Sequence, residues 1–294
     1  MKKNEAEAEL AQALATHQSG NAPISLLRCE ALGGGAAQFF KLETSVGFLF
    51  CKCLPVSKFP QLLQHEAEGL AALGAAGLPV PEQVLATTTH SHQYLFTTWH
   101  EQKQLTASYW SQAGLALAQL HGPTHTCVGW PHSNYIGLLP QINDWGTDWN
   151  SFFRDCRIHP LVQQCTDAGL LAVPDARKFE KLYNRLNDFF DQDAQPVLLH
   201  GDLWRGNLIV HQSGGPLFID PSVYYGHPAM DLAMTQLFGG FPQHFYAAYA
   251  GAGGVLPTQA TIDICHLYPL LVHLKLFGKS YLPQVQTTLH RFTQ

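Results

Sequence analysis

The chain has 294 residues, a formal net charge of -5, 46% hydrophobic residues and only 13% charged ones. That composition can bury the core of one large domain or two lobes, and the absence of any Lys/Arg run excludes a nucleic-acid groove or an electrostatic hold on an anionic membrane. Seven cysteines without a CxxC spacing point to reduced thiols in a cytoplasm rather than a disulfide framework, and the sixteen histidines contain no HExxH metal motif.

The opening "MKKNEAEAELAQALATHQ" reads as a helix, because Glu5, Glu7 and Glu9 stand where an export signal would need its apolar stretch. From Leu26 to Trp99 the chain reads as a sheet-rich lobe, with strands in "QFFKLET", "GFLFCKCL" and "YLFTTW". One helix interrupts them. It is expected to start at Phe59-Pro60, to carry Leu63, Ala67, Leu70 and Leu73 on one face, and to stop at Gly74 and Gly77. Residues 102–106 are the expected hinge, after which the pattern turns helical, with Ser108 as cap of a helix running to Leu120. Further helices are expected around Trp149–Cys165, Asp175–Phe190 and Tyr268–Phe277, and "NLIVHQ" and "GPLFIDP" read as a hairpin turned by Ser213-Gly214-Gly215. The apolar run "PLLVHLKLF" from Pro269 is too short and interrupted to span a bilayer, so a soluble protein is expected.

The segment "LLHGDLWRGNLIV", residues 198–210, sets ionisable groups between two apolar runs just before that hairpin. Asp202 and Asn207 lie five apart and Asp220 follows thirteen later, at the end of the second hairpin strand. Phosphoryl transfer needs a carboxylate to take a proton from the attacking hydroxyl and oxygen ligands for magnesium. Asp202 fits the base, and Asn207 and Asp220 fit the metal ligands. Taken singly, Asp and Asn in a turn more often bond to nearby backbone, so the spacing of the set carries the reading. A triphosphate also needs a cation. Lys52, inside an apolar strand, requires a partner, and Glu66 on the lobe's helix is preferred over Glu68, which faces elsewhere; Lys41 is the alternative cation, and a solvent-facing Lys52 the plainer reading. The "GGG" of Gly33, Gly34 and Gly35 could bring backbone amides to phosphate or simply turn a hairpin. Asp231 is placed to cap a following helix. Trp204, Tyr224, Tyr225, Trp145 and Trp149 crowd the suspected site; aromatic faces suit sugar rings, though most such clusters pack. Cys51 and Cys53, flanking Lys52, read as buried inert thiols.

These residues resemble the fructosamine kinases, or ketosamine 3-kinases, of the aminoglycoside phosphotransferase-like and protein-kinase-like folds. The resemblance rests on "GGG", "FCK" ending at Lys52, "NYIG" at Asn134, "PQINDWGTDWNSFF" from Pro140, "LLHGDLWRGN", and "IDPSVYYG" to "DLAMTQLFGGFP". It implies an α+β, two-lobed fold: a nucleotide-binding lobe over 1–101 with one main helix besides the N-terminal one, the hinge, and a larger, mostly helical catalytic lobe over 107–294. It further implies ATP and Mg2+, phosphorylation of a ketosamine on its sugar 3-hydroxyl, and release of the free amine, whether from a small molecule or a glycated protein. Carried over by position, Lys52 and Glu66 anchor the phosphates, Asp202 is the base, and Asn207 with Asp220 holds magnesium. Gly33, Gly34 and Gly35 are candidate phosphate contacts, and from their place beside this set Trp204, Arg205, Tyr224 and Tyr225 are candidate substrate contacts. Two departures stand out: Arg205 replaces the usual serine, and His227-Pro228-Ala229 replaces a frequent Asp-Arg-Glu. A kinase for another acceptor (aminoglycoside, choline or a different sugar) and a nucleotide-binding protein without turnover are the competing expectations.

Overall fold

The computed structural model describes residues 3–15, 18–19, 22–101, 103–191 and 193–293. Gln102 of the expected hinge and Met1, Lys2, Thr16 and His17 of the expected first helix therefore lie outside the described residues. The chain forms two compact units: Met1–Ala75 with Pro79–Gln104 and Ile209–Ile219, and Ala76–Leu78 with Leu105–Leu208 and Asp220–Gln294.

The first unit contains α1 (Lys3–Ala15), a short pair β1 (Gln18–Ser19) and β2 (Ala22–Pro23), then β3 (Leu26–Gly34), β4 (Gln38–Thr44), β5 (Gly47–Pro55), α2 (Leu62–Ala75), β6 (Gln83–Thr88) and β7 (His92–Thr98). Five of the strands make an antiparallel sheet in the order β3-β4-β5-β7-β6. Strand alternation sorts its two faces. Phe40 and Leu42 of β4, Leu49, Cys51 and Cys53 of β5, and Tyr94 and Phe96 of β7 form one core with Leu10, Ala13 and Leu14 of α1. The intervening residues Phe39, Phe50 and Lys52 take the opposite face, where Phe39 and Phe50 stack at 5.8 Å. Burial pushes the Cys53 thiol up to about 12 and raises Cys51 well above its ordinary value.

Helix α2 starts at Leu62, later than Phe59-Pro60, because Gln61 adopts φ 59 and a side chain from β7 caps the helix. Gln93 Oε1 accepts from Leu63 N–H at 2.7 Å while its amide nitrogen donates to Phe59 O. A cap supplied from thirty residues away leaves no local signal in the sequence.

In the second half of the chain, β11 (Leu208–Val210) and β12 (Pro216–Phe218) form the expected hairpin. Phe218 N–H donates to Pro79 O at 2.9 Å and Lys103 Nζ to Gln212 O, which ties residues 209–219 into the first unit. A single sequence boundary at 102–106 would place them in the second.

The second unit comprises α3 (Ala107–Leu120), β8 (Asn134–Ile136), β9 (Leu139–Gln141), α4 (Trp149–Phe152), α5 (His159–Asp167), α6 (Val173–Tyr183), β10 (Val197–Leu199), β13 (Tyr224–Gly226), α7 (Ala229–Met234), α8 (Gln243–Gly251), α9 (Gln259–Phe277) and α10 (Leu282–Phe292). A π-helical stretch, Phe153–Ile158, joins α4 to α5. The cap of α3 is Thr106, whose hydroxyl accepts from Tyr109 N–H at 3.2 Å, while Ser108 accepts from Gln112 instead. Gly114 lets α8 approach α3, since a Cβ there would lie 2.2 Å from Phe245 O. Helix α9 extends nine residues further towards the N-terminus than the expected Tyr268–Phe277 and, at 19 residues, is long and apolar enough to cross a membrane. Its Ile264, Leu267, Leu271 and Leu274 are instead completely buried in the core formed with α5, α7 and α10. Each such side chain contributes roughly 1.5–3 kcal/mol on leaving water.

Candidate active site

In the first unit, β3 and β4 are joined across Gly35-Ala36-Ala37, and Gly33 and Gly34 take φ 93 and 143. A Cβ on Gly34 would meet Ala37 O at 2.1 Å, so only glycine closes this turn. On the sheet face turned away from α1, Lys52 Nζ meets Glu66 Oε2 of α2 at 2.7 Å, both side chains largely buried. Glu68 accepts from Gln64 at 3.0 Å. Lys41 Nζ pairs with the exposed Glu101 at 2.8 Å and lies over the rings of Phe48 and Trp99 at 5.1 and 4.5 Å.

In the second unit, β10 and β13 pair antiparallel, with Leu199 opposite Tyr224, and the chain leaves β10 directly into His200-Gly201-Asp202. Gly201 has φ 83, and a Cβ would fall 2.0 Å from Ser222 O, so the turn into Asp202 is closed to any larger residue. The loop then winds through a 3-10 turn, Arg205–Asn207. The buried Asn207 amide nitrogen donates to Asp202 O at 2.8 Å, to Asp202 Oδ2 at 3.1 Å and, more weakly, to Asp220 O at 3.5 Å. The three polar residues picked out by spacing thus meet through one amide, and the amide's oxygen, Asn207 Oδ1, takes no part in those contacts. Asp220 holds φ 52, a left-handed conformation that costs a non-glycine residue about 1 kcal/mol or more and clusters at functional sites.

A sequence profile described as fructosamine kinase matches residues 6–294. The chain belongs to the fructosamine kinase family. It is 36% identical over 264 residues to a probable ketoamine kinase of Lactiplantibacillus plantarum, covering 88% of this chain and 92% of that one. A crystal structure of a candidate fructosamine-3-kinase from Thermobifida fusca superposes with a TM-score of 0.85 at 29% identity, over 98% of each chain. A candidate aminoglycoside phosphotransferase from Ralstonia eutropha jmp134 superposes with a TM-score of 0.60 at 15% identity, over 100% of this chain and 99% of that one, and so shares the protein-kinase-like fold. The architecture is the α+β one expected: a five-stranded sheet unit and a mostly helical unit.

For this fructosamine kinase family member, the candidate substrate contacts divide. Tyr224 is completely buried, under the Arg157 guanidinium at 3.9 Å, and burial pushes its hydroxyl up to about 12. It is a core residue, not a substrate contact; strand alternation in β13 turns it inward and its neighbour outward. Tyr225 joins a half-buried ring stack with His125 at 4.2 Å and the exposed Trp145 at 6.3 Å. Trp149 packs in the core. The Trp204 ring covers Gly206, where a Cβ would sit 2.4 Å from it, and meets Phe238 edge-on at 6.2 Å. Arg205 is exposed.

Asp231 does not cap α7, whose N-cap is Pro228. It sits inside the helix, almost fully buried, and its carboxylate accepts from the backbone N–H groups of His200 at 2.8 Å and Gly201 at 2.9 Å. His121 Nε2 approaches the same carboxylate at 3.3 Å while His121 Nδ1 meets Tyr249 OH at 3.0 Å. A second buried network supports the chain after Asp220. Asn134 Nδ2 donates to Val223 O at 2.8 Å, Gln141 Nε2 donates to Ser222 O at 3.1 Å and to Asn134 Oδ1 at 2.8 Å, and Arg157 donates to Asn143 Oδ1 at 2.7 Å. Sequence reasoning misses these roles, although Asn134, Gln141 and Asn143 lie in the "NYIG" and "PQINDW" segments that carry the family resemblance.

Proposed function

We propose that this member of the fructosamine kinase family transfers the γ-phosphate of ATP to the 3-hydroxyl of a ketosamine such as a fructosamine or ribulosamine. The observation that carries the chemistry is the convergence of Asp202, Asn207 and Asp220 through the Asn207 amide. Asp202 takes the proton of the acceptor hydroxyl as its oxygen attacks the γ-phosphorus; the new O–P bond forms as the bond to the β-phosphate oxygen breaks, and ADP departs. Asn207 Oδ1 and the Asp220 carboxylate are hard oxygen donors, which suits magnesium, and they would hold it. A magnesium ion held there would supply positive charge to neutralise the phosphates. The Lys52–Glu66 pair supplies an ammonium held in one orientation for the same phosphates, and the Gly33–Gly35 turn offers backbone N–H groups. The Asp231 carboxylate keeps the His200-Gly201 backbone, and with it Asp202, in place.

The phosphorylated ketosamine is expected to release its amine, making the reaction a deglycation, with a small adduct or a glycated protein as acceptor and the cytoplasm as location. The test incubates the protein with magnesium-ATP and fructosyl, ribulosyl and erythrulosyl amines, following ADP and sugar phosphate. Turnover on another hydroxyl acceptor, with none on any ketosamine, would overturn the assignment.

A further inference from the structure

Arg205 stands three residues beyond Asp202, in the 3-10 turn that leads to Asn207. Its guanidinium lies 5.7 Å from the ring centroid of Trp110, at the start of α3, and Trp110 in turn packs on Phe241 at 4.9 Å. Among the described residues it forms no ion pair, and its side chain is exposed. An arginine resting on an aromatic ledge keeps its N–H fork open to an anion. Two anions approach the base in a kinase of this kind, the nucleotide's phosphates and any carboxylate on the acceptor.

We propose that Arg205 binds the carboxylate of the amine carrier, so that the enzyme selects ketosamines built on α-amino acids over those built on neutral amines. The proposal rests on the ketosamine kinase reading. Two features favour the acceptor over the nucleotide. The phosphates already have a cation in Lys52 and oxygen ligands for a metal in Asn207 and Asp220. Trp110 beneath Arg205 is itself buried, so it steadies the guanidinium and offers the nucleotide no stacking face.

The test compares a matched pair of acceptors, 1-deoxyfructosyl-valine and the 1-deoxyfructosyl adduct of isobutylamine, which differ only in the carboxylate. The wild-type protein should favour the valine adduct by roughly tenfold or more in kcat/KM, the worth of one charge-assisted hydrogen-bonded pair. Arg205→Ser should collapse that ratio towards one, chiefly through KM for the valine adduct, and Arg205→Lys should recover part of it. A wild-type ratio near one, or a ratio that survives Arg205→Ser, overturns the proposal. So does a rise in KM for ATP that is equal with both acceptors, which would assign Arg205 to phosphate. No phosphorylation of either adduct by the wild-type protein would overturn the kinase reading itself, and with it this proposal.

Discussion

The Asn207 side chain shows how much a single amide can organise. By donating to both the backbone and the carboxylate of Asp202, it fixes the direction in which the proposed base points, and its own oxygen is left out of those contacts. Asp202→Asn should therefore keep nucleotide binding and lose transfer by about 10²–10⁴-fold; calorimetric titration with magnesium-ATP beside kcat measurements checks both halves, and near-normal turnover would remove Asp202 from the role of base. Asp220→Ala should instead weaken nucleotide binding in the presence of magnesium while leaving the metal-free affinity comparatively unchanged. Equal affinities for magnesium-ATP in the two proteins would speak against a metal ligand at this position. These residues are legible in the sequence because they lie within one loop and one hairpin, where spacing along the chain is also spacing in the fold. Tyr224 misleads for the opposite reason: adjacent to a site in sequence, it points into the core by strand alternation.

Among elements, the strands are the most legible. β4 coincides with "QFFKLET" from end to end, and β5 extends one residue past "GFLFCKCL", because alternation of buried and open positions is a local pattern. Helix ends are less so. The caps of α2 and α7 depend on residues far along the chain or have no capping side chain, and α3 is capped by Thr106 rather than by the Ser108 that the sequence suggests. Helix α10 escapes a sequence reading despite Val285, Leu289 and Phe292 on one buried face, since it holds only that narrow stripe. The most consequential element is α7. Asp231 in its interior joins a core helix to the loop that carries Asp202, so Asp231→Asn replaces one acceptor oxygen by an amide donor facing a backbone N–H. A stability loss of about 2–4 kcal/mol is expected, with a fall in kcat at temperatures where the variant remains folded. Urea unfolding and kcat at room temperature decide it; a variant as stable and as fast as wild type would show that the loop is held by other contacts.

For the whole molecule, buried histidines contribute to the response to acid. Burial lowers His227 from 6.5 to about 4, with Asp191 raising it and His121 lowering it further. Ala229 N–H donates to its Nδ1 at 3.1 Å, which fits a neutral ring. The folded state thus binds fewer protons than the unfolded chain between these two values, so stability is complete above about pH 6.5 and falls as pH drops towards 4, by at most roughly 3 kcal/mol from this group. Burial also lowers His266 and His273, in the same direction. The urea midpoint should fall between about pH 7 and about pH 5, and His227→Gln should show a shallower fall; identical slopes would place the acid sensitivity elsewhere. At this scale the sequence announces the division into a sheet-rich and a helical part, but it cannot show that residues 209–219 belong to the first. That assignment depends on hydrogen bonds to Pro79 and Lys103, more than a hundred positions away.

The buried thiols have a practical use. Cys51 and Cys53 are shielded only while the first unit is closed, and Cys165 and Cys265 only while the second is. The native chain thus carries its own pair of labelling clocks. Pulsed alkylation followed by peptide mass analysis would time the opening of each half separately, with no engineered probe, and would reveal which half nucleotide or acceptor clamps shut.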